Sequence, residues 1–166
     1  MSKRPQRKGS DHRLDRTDRR ILGELQRNGR ISNVELARRV NLSATPCLER
    51  VRRLEQAGYI REYVAVLEPS KLDIDLLVYV EVTLDRTTPD VFDRFRDAIA
   101  ERPEVQECHM VAGGFDYLIK IRVPDMQAYR SFLGEGLTAA PGVRETHTYV
   151  VMEEIKETTA IDIDDT

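Results

Sequence analysis

Residues 31–58 read ISNVELARRVNLSATPCLERVRRLEQAG, and the organisation of the chain follows from them. The stretch holds two helix starts eleven residues apart. Ser32 is followed three residues later by Glu35, the spacing of a capping box, and Ile31 is placed to staple onto Leu36. Ser43 is the second start, with Leu42 and Cys47 at staple positions. Only Asn41 and Leu42 separate the helices, and two short helices joined by a turn of about 3–4 residues make a helix-turn-helix. In the second helix Leu48, Val51, Leu54 and Ala57 recur at helical spacing and are expected to bury. Thr45, Glu49, Arg50, Arg52 and Arg53 lie elsewhere around the cylinder. Pro46 fits the first turn, where its missing N–H has no helical partner to lose. A small, polar, rigid first turn with basic residues behind it suits a helix whose N-terminal end enters a major groove while arginines reach phosphates. It equally suits a surface helix with solvated charges, and the helix alone does not separate the two.

Charge favours the first. The net charge of −3 hides an asymmetry: residues 1–63 carry 16 Lys+Arg against 8 Asp+Glu, and residues 64–166 carry 10 against 21. A basic front and an acidic back are what a nucleic-acid module joined to a different domain shows. At 166 residues the chain has room for two small domains. No apolar run approaches the ~18–20 residues that span a bilayer, so no membrane partner is expected. The basic, polar N-terminus lacks the apolar core of a secretory signal. Two cysteines, Cys47 and Cys108, without CxxC spacing predict a reducing, cytoplasmic setting and no zinc site.

In chain order, residues 1–13 carry Lys3, Arg4, Arg7, Lys8 and Arg13 without periodicity and read as a basic, mobile tail. A helix-turn-helix DNA-binding domain is expected over 14–63. It opens with a helix at 15–28, capped by Asp15, with Asp18 near the positive end of the dipole. Leu14, Ile21, Leu22 and Leu25 form its apolar stripe, and Gly29 ends it. After Gly58, residues 59–67 alternate toward strand, as a wing or a strand leading out of the unit. Residues 64–75, with Pro69 and Ser70, read as a linker.

The second domain is expected over 76–156. Val78, Val80, Val82 and Leu84 alternate in a strand at 76–85. Thr88-Pro89 opens a helix with Val91, Phe92, Phe95, Ala98 and Ile99 on its buried side. Strands follow at 105–112 and 116–123, joined by a tight Gly113-Gly114 hairpin turn. Asp125 caps a helix carrying Met126, Tyr129, Phe132, Leu133 and Leu137, and Pro141-Gly142 leads into a long strand at 143–155. Residues 157–166 are an acidic, frayed tail. Strand, helix, strand, strand, helix, strand is the ferredoxin-like βαββαβ unit, so the fold class is α+β. Leu77, Tyr79, Tyr149 and Val151 leave the face away from the helices more apolar than water favours, which predicts a second copy as partner.

Asp116, His109, His147 and Glu153 can be drawn as a metal or acid–base set. The two histidines fall in different strands without ligand spacing, and no nucleophile motif or phosphate-binding Gly loop is present. The chain reads as a non-enzyme without metal or cofactor.

These residues resemble the Lrp/AsnC family of bacterial regulators. The stretches that carry the resemblance are LDRTDRRILGELQ at 14–26, GRISNVELA at 29–37, TPCLERVRRLE at 45–55, ECHMVAGGFDYL at 107–118, RVPDM at 122–126 and TYVVMEE at 148–154. The resemblance covers about residues 12–156. It implies a sequence-specific transcription regulator that binds double-stranded DNA. It also implies dimers joined through the C-terminal sheets, assembly of dimers to octamers, and an amino-acid effector, leucine, that shifts assembly and DNA affinity. The expected DNA-facing residues are Ser32, Asn33, Ser43, Ala44, Thr45, Pro46, Glu49, Arg50, Arg52 and Arg53. Ser43, Thr45 and Pro46 are expected at bases, and Arg50, Arg52 and Arg53 mainly at phosphates. The resemblance places the effector between dimers, at Met110, Gly113, Gly114, Phe115, Asp116, Met126, Tyr149, Val150 and Val151. Close relatives often have Asp where this chain has Gly114. On the residues alone two readings stay open. The glycines can leave backbone N–H groups for a carboxylate, with Asp116 taking the ammonium and Met110, Met126 and Val150 lining a slot. Or they form an ordinary turn beside core methionines. The same sequence also suits a local regulator of one amino-acid catabolic operon sensing another amino acid, or an architectural DNA-compacting protein without effector.

Overall fold

The computed structural model describes residues 13–163 and divides into two units: residues 13–66 with 157–163, and residues 67–156. Apart from Arg13, the basic tail expected at 1–13 lies outside the described residues, as do residues 164–166 of the acidic tail. No described helix is long and apolar enough to cross a membrane.

The first unit is built on α1 (Arg16–Arg27), α2 (Asn33–Arg39) and α3 (Ala44–Gln56). Asp15 caps α1 reciprocally: its carboxylate accepts from the Asp18 N–H at 2.8 Å, and the Asp18 carboxylate accepts from the Asp15 N–H. Ile21, Leu36, Ala37, Val40, Cys47 and Leu54 form the core. Both helices of the helix-turn-helix end in the same way. Asn41, at φ 58°, lets the Leu42 N–H reach the Ala37 C=O at 2.9 Å. Gly58, at φ 76°, lets the Tyr59 N–H reach the Leu54 C=O at 2.9 Å. Asn and Gly enter the left-handed region at little cost, so each stops its helix within one residue. The buried seam of α3 runs through Cys47, Val51 and Leu54, which corrects the expectation for Leu48. Leu48 sits one residue round the cylinder and is 37% exposed. No strand forms over residues 59–67. Val64, Val66 and Leu67 point to solvent with no ladder to join, while the Tyr63 hydroxyl donates to Glu55 at 3.0 Å.

The second unit contains β1 (Leu76–Leu84), α4 (Pro89–Ala100), β2 (Val105–Met110), β3 (Tyr117–Val123), α5 (Met126–Ser131) and β4 (Val143–Val150). The antiparallel sheet has the order β2-β3-β1-β4. One face buries Val78, Val80, Val82, Ile119 and Ile121 against Val91, Phe95 and Ile99 of α4 and Tyr129 of α5. On the other face Leu77 is buried by its neighbours, but Tyr149 is 52% exposed. Three local expectations change. β4 stops at Val150 rather than 155: Val151 still donates to the Leu77 C=O, and β1 offers nothing beyond its start at Leu76. After α5 the helix widens into a π-type turn, Phe132–Leu137, which brings Phe132 and Leu137, five residues apart, both into the core. Residues 111–116 form a loop closed by the Val111 N–H on the Asp116 C=O at 3.0 Å, rather than a two-residue turn. Gly113 and Gly114 adopt ordinary negative φ there.

Candidate functional site

The outward face of α3 carries Ala44, Thr45, Leu48, Glu49 and Arg52, all exposed, with Ser43 exposed at its start and Pro46 half-buried. The Ser43 side chain makes no capping hydrogen bond, so its hydroxyl is not committed to its own helix. Asn33 ties the front of α2 to the front of α3 by donating Nδ2–H to the Ala44 C=O at 2.8 Å. Ser32 caps α2 by accepting from the Glu35 N–H at 3.2 Å. The Glu35 carboxylate goes instead to Arg38 and Arg39, and these hydrogen bonds hold its pKa down to about 2. Ser32, Asn33, Ser43, Ala44 and Thr45 are thereby gathered at one end of the helix pair.

Arg50 and Arg53 turn the other way. Arg50 Nη1 donates to Asp15 at 2.6 Å and to Asp18 at 2.8 Å, and Arg53 Nη2 donates to Asp18 at 2.9 Å. The Asp18 side chain is fully buried. Burial alone raises the Asp15 carboxyl, but the Asp18 N–H and Arg50 outweigh it and leave the group below the usual carboxylate range. Two of the three arginines assigned to phosphates therefore fasten α3 onto α1, and Arg52 faces water. Sequence reasoning missed two residues here. The Asp18 partnership spans 32 residues to Arg50 and has no local signal. Leu48 had one, because the Cys47–Val51–Leu54 spacing already supplies the buried seam.

The residues assigned to the effector fall into two groups. Met110 ends β2, and Gly113, Gly114, Phe115 and Asp116 follow in the loop, beside Val82 and Leu84 of β1. Tyr149, Val150 and Val151 lie at the other end of β1, opposite Tyr79, Val78 and Leu77. Met126 joins this second group, because β3 runs out opposite Leu76 just before α5. The β1 partners of the two groups are three residue steps apart at their nearest, Tyr79 to Val82, and seven at their farthest, Leu77 to Leu84, about 10–23 Å along the strand at ~3.3 Å per residue. Within one copy the nine residues do not converge. Asp116 is already engaged: one carboxylate oxygen accepts from the Leu84 N–H at 2.7 Å, and its own N–H donates to the Val82 C=O at 2.9 Å. The tie sits at the β1–β4 register shift between Thr83 and Leu84. A Cβ added at Gly113 or Gly114 would meet nothing within 4 Å. His109 lies beside Glu107 at 3.0 Å on β2, and His147 beside Glu145 at 3.3 Å on β4, at opposite edges of the sheet. Met110 is 54% exposed, so it is not a core methionine.

Comparison with known proteins also divides the chain in two. Residues 14–61 match a winged helix-turn-helix DNA-binding family, and residues 77–161 match the Lrp/AsnC ligand binding domain. The leucine-responsive regulatory protein of Escherichia coli K12 is 62% identical over 151 residues, covering 91% of each chain. Among solved structures, a transcriptional regulator from Neisseria meningitidis in complex with L-methionine superposes with a TM-score of 0.88 at 38% identity, covering 92% of this chain and 98% of that one. An AsnC family transcriptional regulator from Agrobacterium tumefaciens gives 0.87 at 35% identity, covering 91% and 98%.

Proposed function

The chain belongs to the Lrp/AsnC family of DNA-binding transcription regulators, and from that premise we propose a division of labour between residues 14–63 and 76–156. The first stretch reads DNA with the front of α3. Ser43, Ala44, Thr45 and Pro46 approach base edges, with Leu48 and Glu49 one turn behind them and the Leu48 side chain suited to a thymine methyl. Arg52 serves a phosphate, and Ser32 and Asn33 meet the backbone from the start of α2. Arg50 and Arg53 set the angle at which α3 is presented. In a dimer the two α3 helices meet half-sites one helical turn apart, ~34–36 Å.

Residues 76–156 sense a free amino acid, leucine first, in the cytoplasm. The observation that carries the assembly reading is the separation of the two groups of effector residues along β1. A single ligand touches both only when two copies bring them together, so ligand and assembly are linked by mass action. The open sheet face with Tyr149 supplies the dimer contact, and dimers assemble further, to octamers. A second reading has methionine or another amino acid as effector. The relative solved with L-methionine and the open space at Gly114 favour it.

Sedimentation of the purified chain with leucine, alanine, methionine and lysine in turn tests this. A change of assembly size with leucine alone is the expected result. A change with methionine alone replaces the effector, and no change with any of the four removes both leucine and methionine and favours an architectural protein or a different ligand.

A further inference from the structure

The side of α1 away from α3 is rich in arginine. Arg16, Arg19, Arg20 and Arg27 line a groove of about 250 Å³ with Gly23 and Glu24, and Ile163 forms part of its wall. A Cβ added at Gly23 would meet nothing within 4 Å, so the helix backbone is open to close approach in the middle of the groove. Ile163 comes from the far end of the chain, whose residues 157–163 cluster with the first unit rather than the second. The segment is held by a specific clasp. Gln26 donates Nε2–H to the Ile161 C=O at 2.9 Å, and the Ile161 N–H donates to Gln26 Oε1 at 2.7 Å. One side-chain amide thus satisfies both backbone groups of one residue and fixes where the segment lies along α1. Ile163 is half-buried against the helix, so among the described residues the expectation of a frayed tail changes for 161–163.

The charges on the two sides are opposite. The docked segment carries Glu157 and Asp162, and the sequence continues with Asp164 and Asp165. The groove presents four arginines against Glu24. From Arg16 to Arg27 the helix rises ~16 Å at 1.5 Å per residue, the axial span of about five phosphates of one DNA strand.

We infer that residues 157–163 form an acidic strap, clasped by Gln26 along the edge of the arginine groove of α1, that competes there with nucleic-acid phosphate. The strap lowers binding to DNA of any sequence while leaving the α3 reading surface uncovered. Releasing it adds phosphate contacts that carry no sequence information.

The test uses three full preparations: the unaltered chain, Gln26→Ala, and a chain ending at residue 156. Each is titrated against a mixed-sequence duplex of about 30 base pairs across a range of salt. Gln26 is exposed, and its replacement leaves the net charge unchanged. Both altered chains are expected to bind about 3–10-fold tighter at low salt and to steepen the salt dependence by one or two phosphate contacts, ~0.9 in slope for each. Equal affinity and slope in all three would overturn the strap. So would a gain confined to the shortened chain, because that would be an effect of net charge without docking.

Discussion

α3 and the 111–116 loop are both exposed and both assigned to binding, but they are held in different ways. α3 is anchored from behind by side chains: Cys47 and Leu54 in the core, and Arg50 and Arg53 on the buried Asp18. Its outward face can then be chosen for DNA without a structural duty. The loop is anchored by one of the residues assigned to the ligand, since Asp116 holds Leu84 and Val111. The residues proposed to read DNA lie together within one chain, whereas those proposed to meet the ligand are divided along β1. Rigid presentation suits base reading, where a bidentate contact needs fixed geometry. A site completed by a second copy suits sensing, because a ligand that bridges copies changes their association.

The largest expected effect comes from breaking the anchor behind α3. Asp18→Ala leaves the Arg50 and Arg53 guanidiniums facing a buried void and removes a cap of α1. The expected cost is about 3 kcal/mol, the low end for losing one partner of a buried ion pair, because Arg53 is 43% exposed and partly screened. Calorimetry or thermal circular dichroism should show the first unit melting earlier while the second keeps its transition. Unchanged melting would mean that the buried carboxylate does not hold α3.

The next effect separates the two duties of Asp116. Asp116→Ala removes the acceptor for the Leu84 N–H and is expected to destabilise the second unit by about 1–3 kcal/mol. Asp116→Asn keeps an oxygen for Leu84 but loses the charge proposed to meet an ammonium group. It should melt like the unaltered chain and fail to change assembly with leucine, as read by sedimentation. An asparagine variant with a full leucine response would leave Asp116 a purely structural residue and make the loop resemble α3 in reverse.

What was legible in the sequence follows the range of the forces involved. The capping signals at Asp15, Ser32 and Asp125 act over three residues, and each marks a helix start in the structure. The alternation through Val78, Val80 and Val82 acts over two, and it gave β1 and the βαββαβ order. Contacts between distant residues left no such mark. Arg50 looked like a phosphate ligand because nothing near it in sequence announces Asp18. The end of β4 depended on where β1 begins, 75 residues earlier when counted from Leu76 to Val151, and not on the residues of its own stretch. The π-type turn after Ser131 answers to the spacing of Phe132 and Leu137 in the core, which a search at helical period does not detect. Of the candidate sites, the exposed front of α3 could be placed from the sequence because it is one contiguous stretch. The division of the effector residues was not, because it is a property of sheet register.

The smallest effect sharpens the contrast within α3 itself. Arg50 and Arg52 are two residues apart on one helix, yet Arg50 is engaged by Asp15 and Asp18 while Arg52 is exposed. If Arg52 neutralises one phosphate, Arg52→Ala should lower the slope of log affinity against log salt by ~0.9 and weaken binding about equally on all sequences. Arg50→Ala should leave that slope unchanged and lower the melting temperature instead, because its guanidinium charge is already matched within the unit. Titration of both variants with a single duplex at several salt concentrations distinguishes the roles. A flattened slope for Arg50→Ala would show that DNA takes this arginine from Asp18 on binding. The anchor behind α3 would then be exchanged for phosphate contact, and the DNA-reading helix would share with the Asp116 loop the property of using its own support as part of its site.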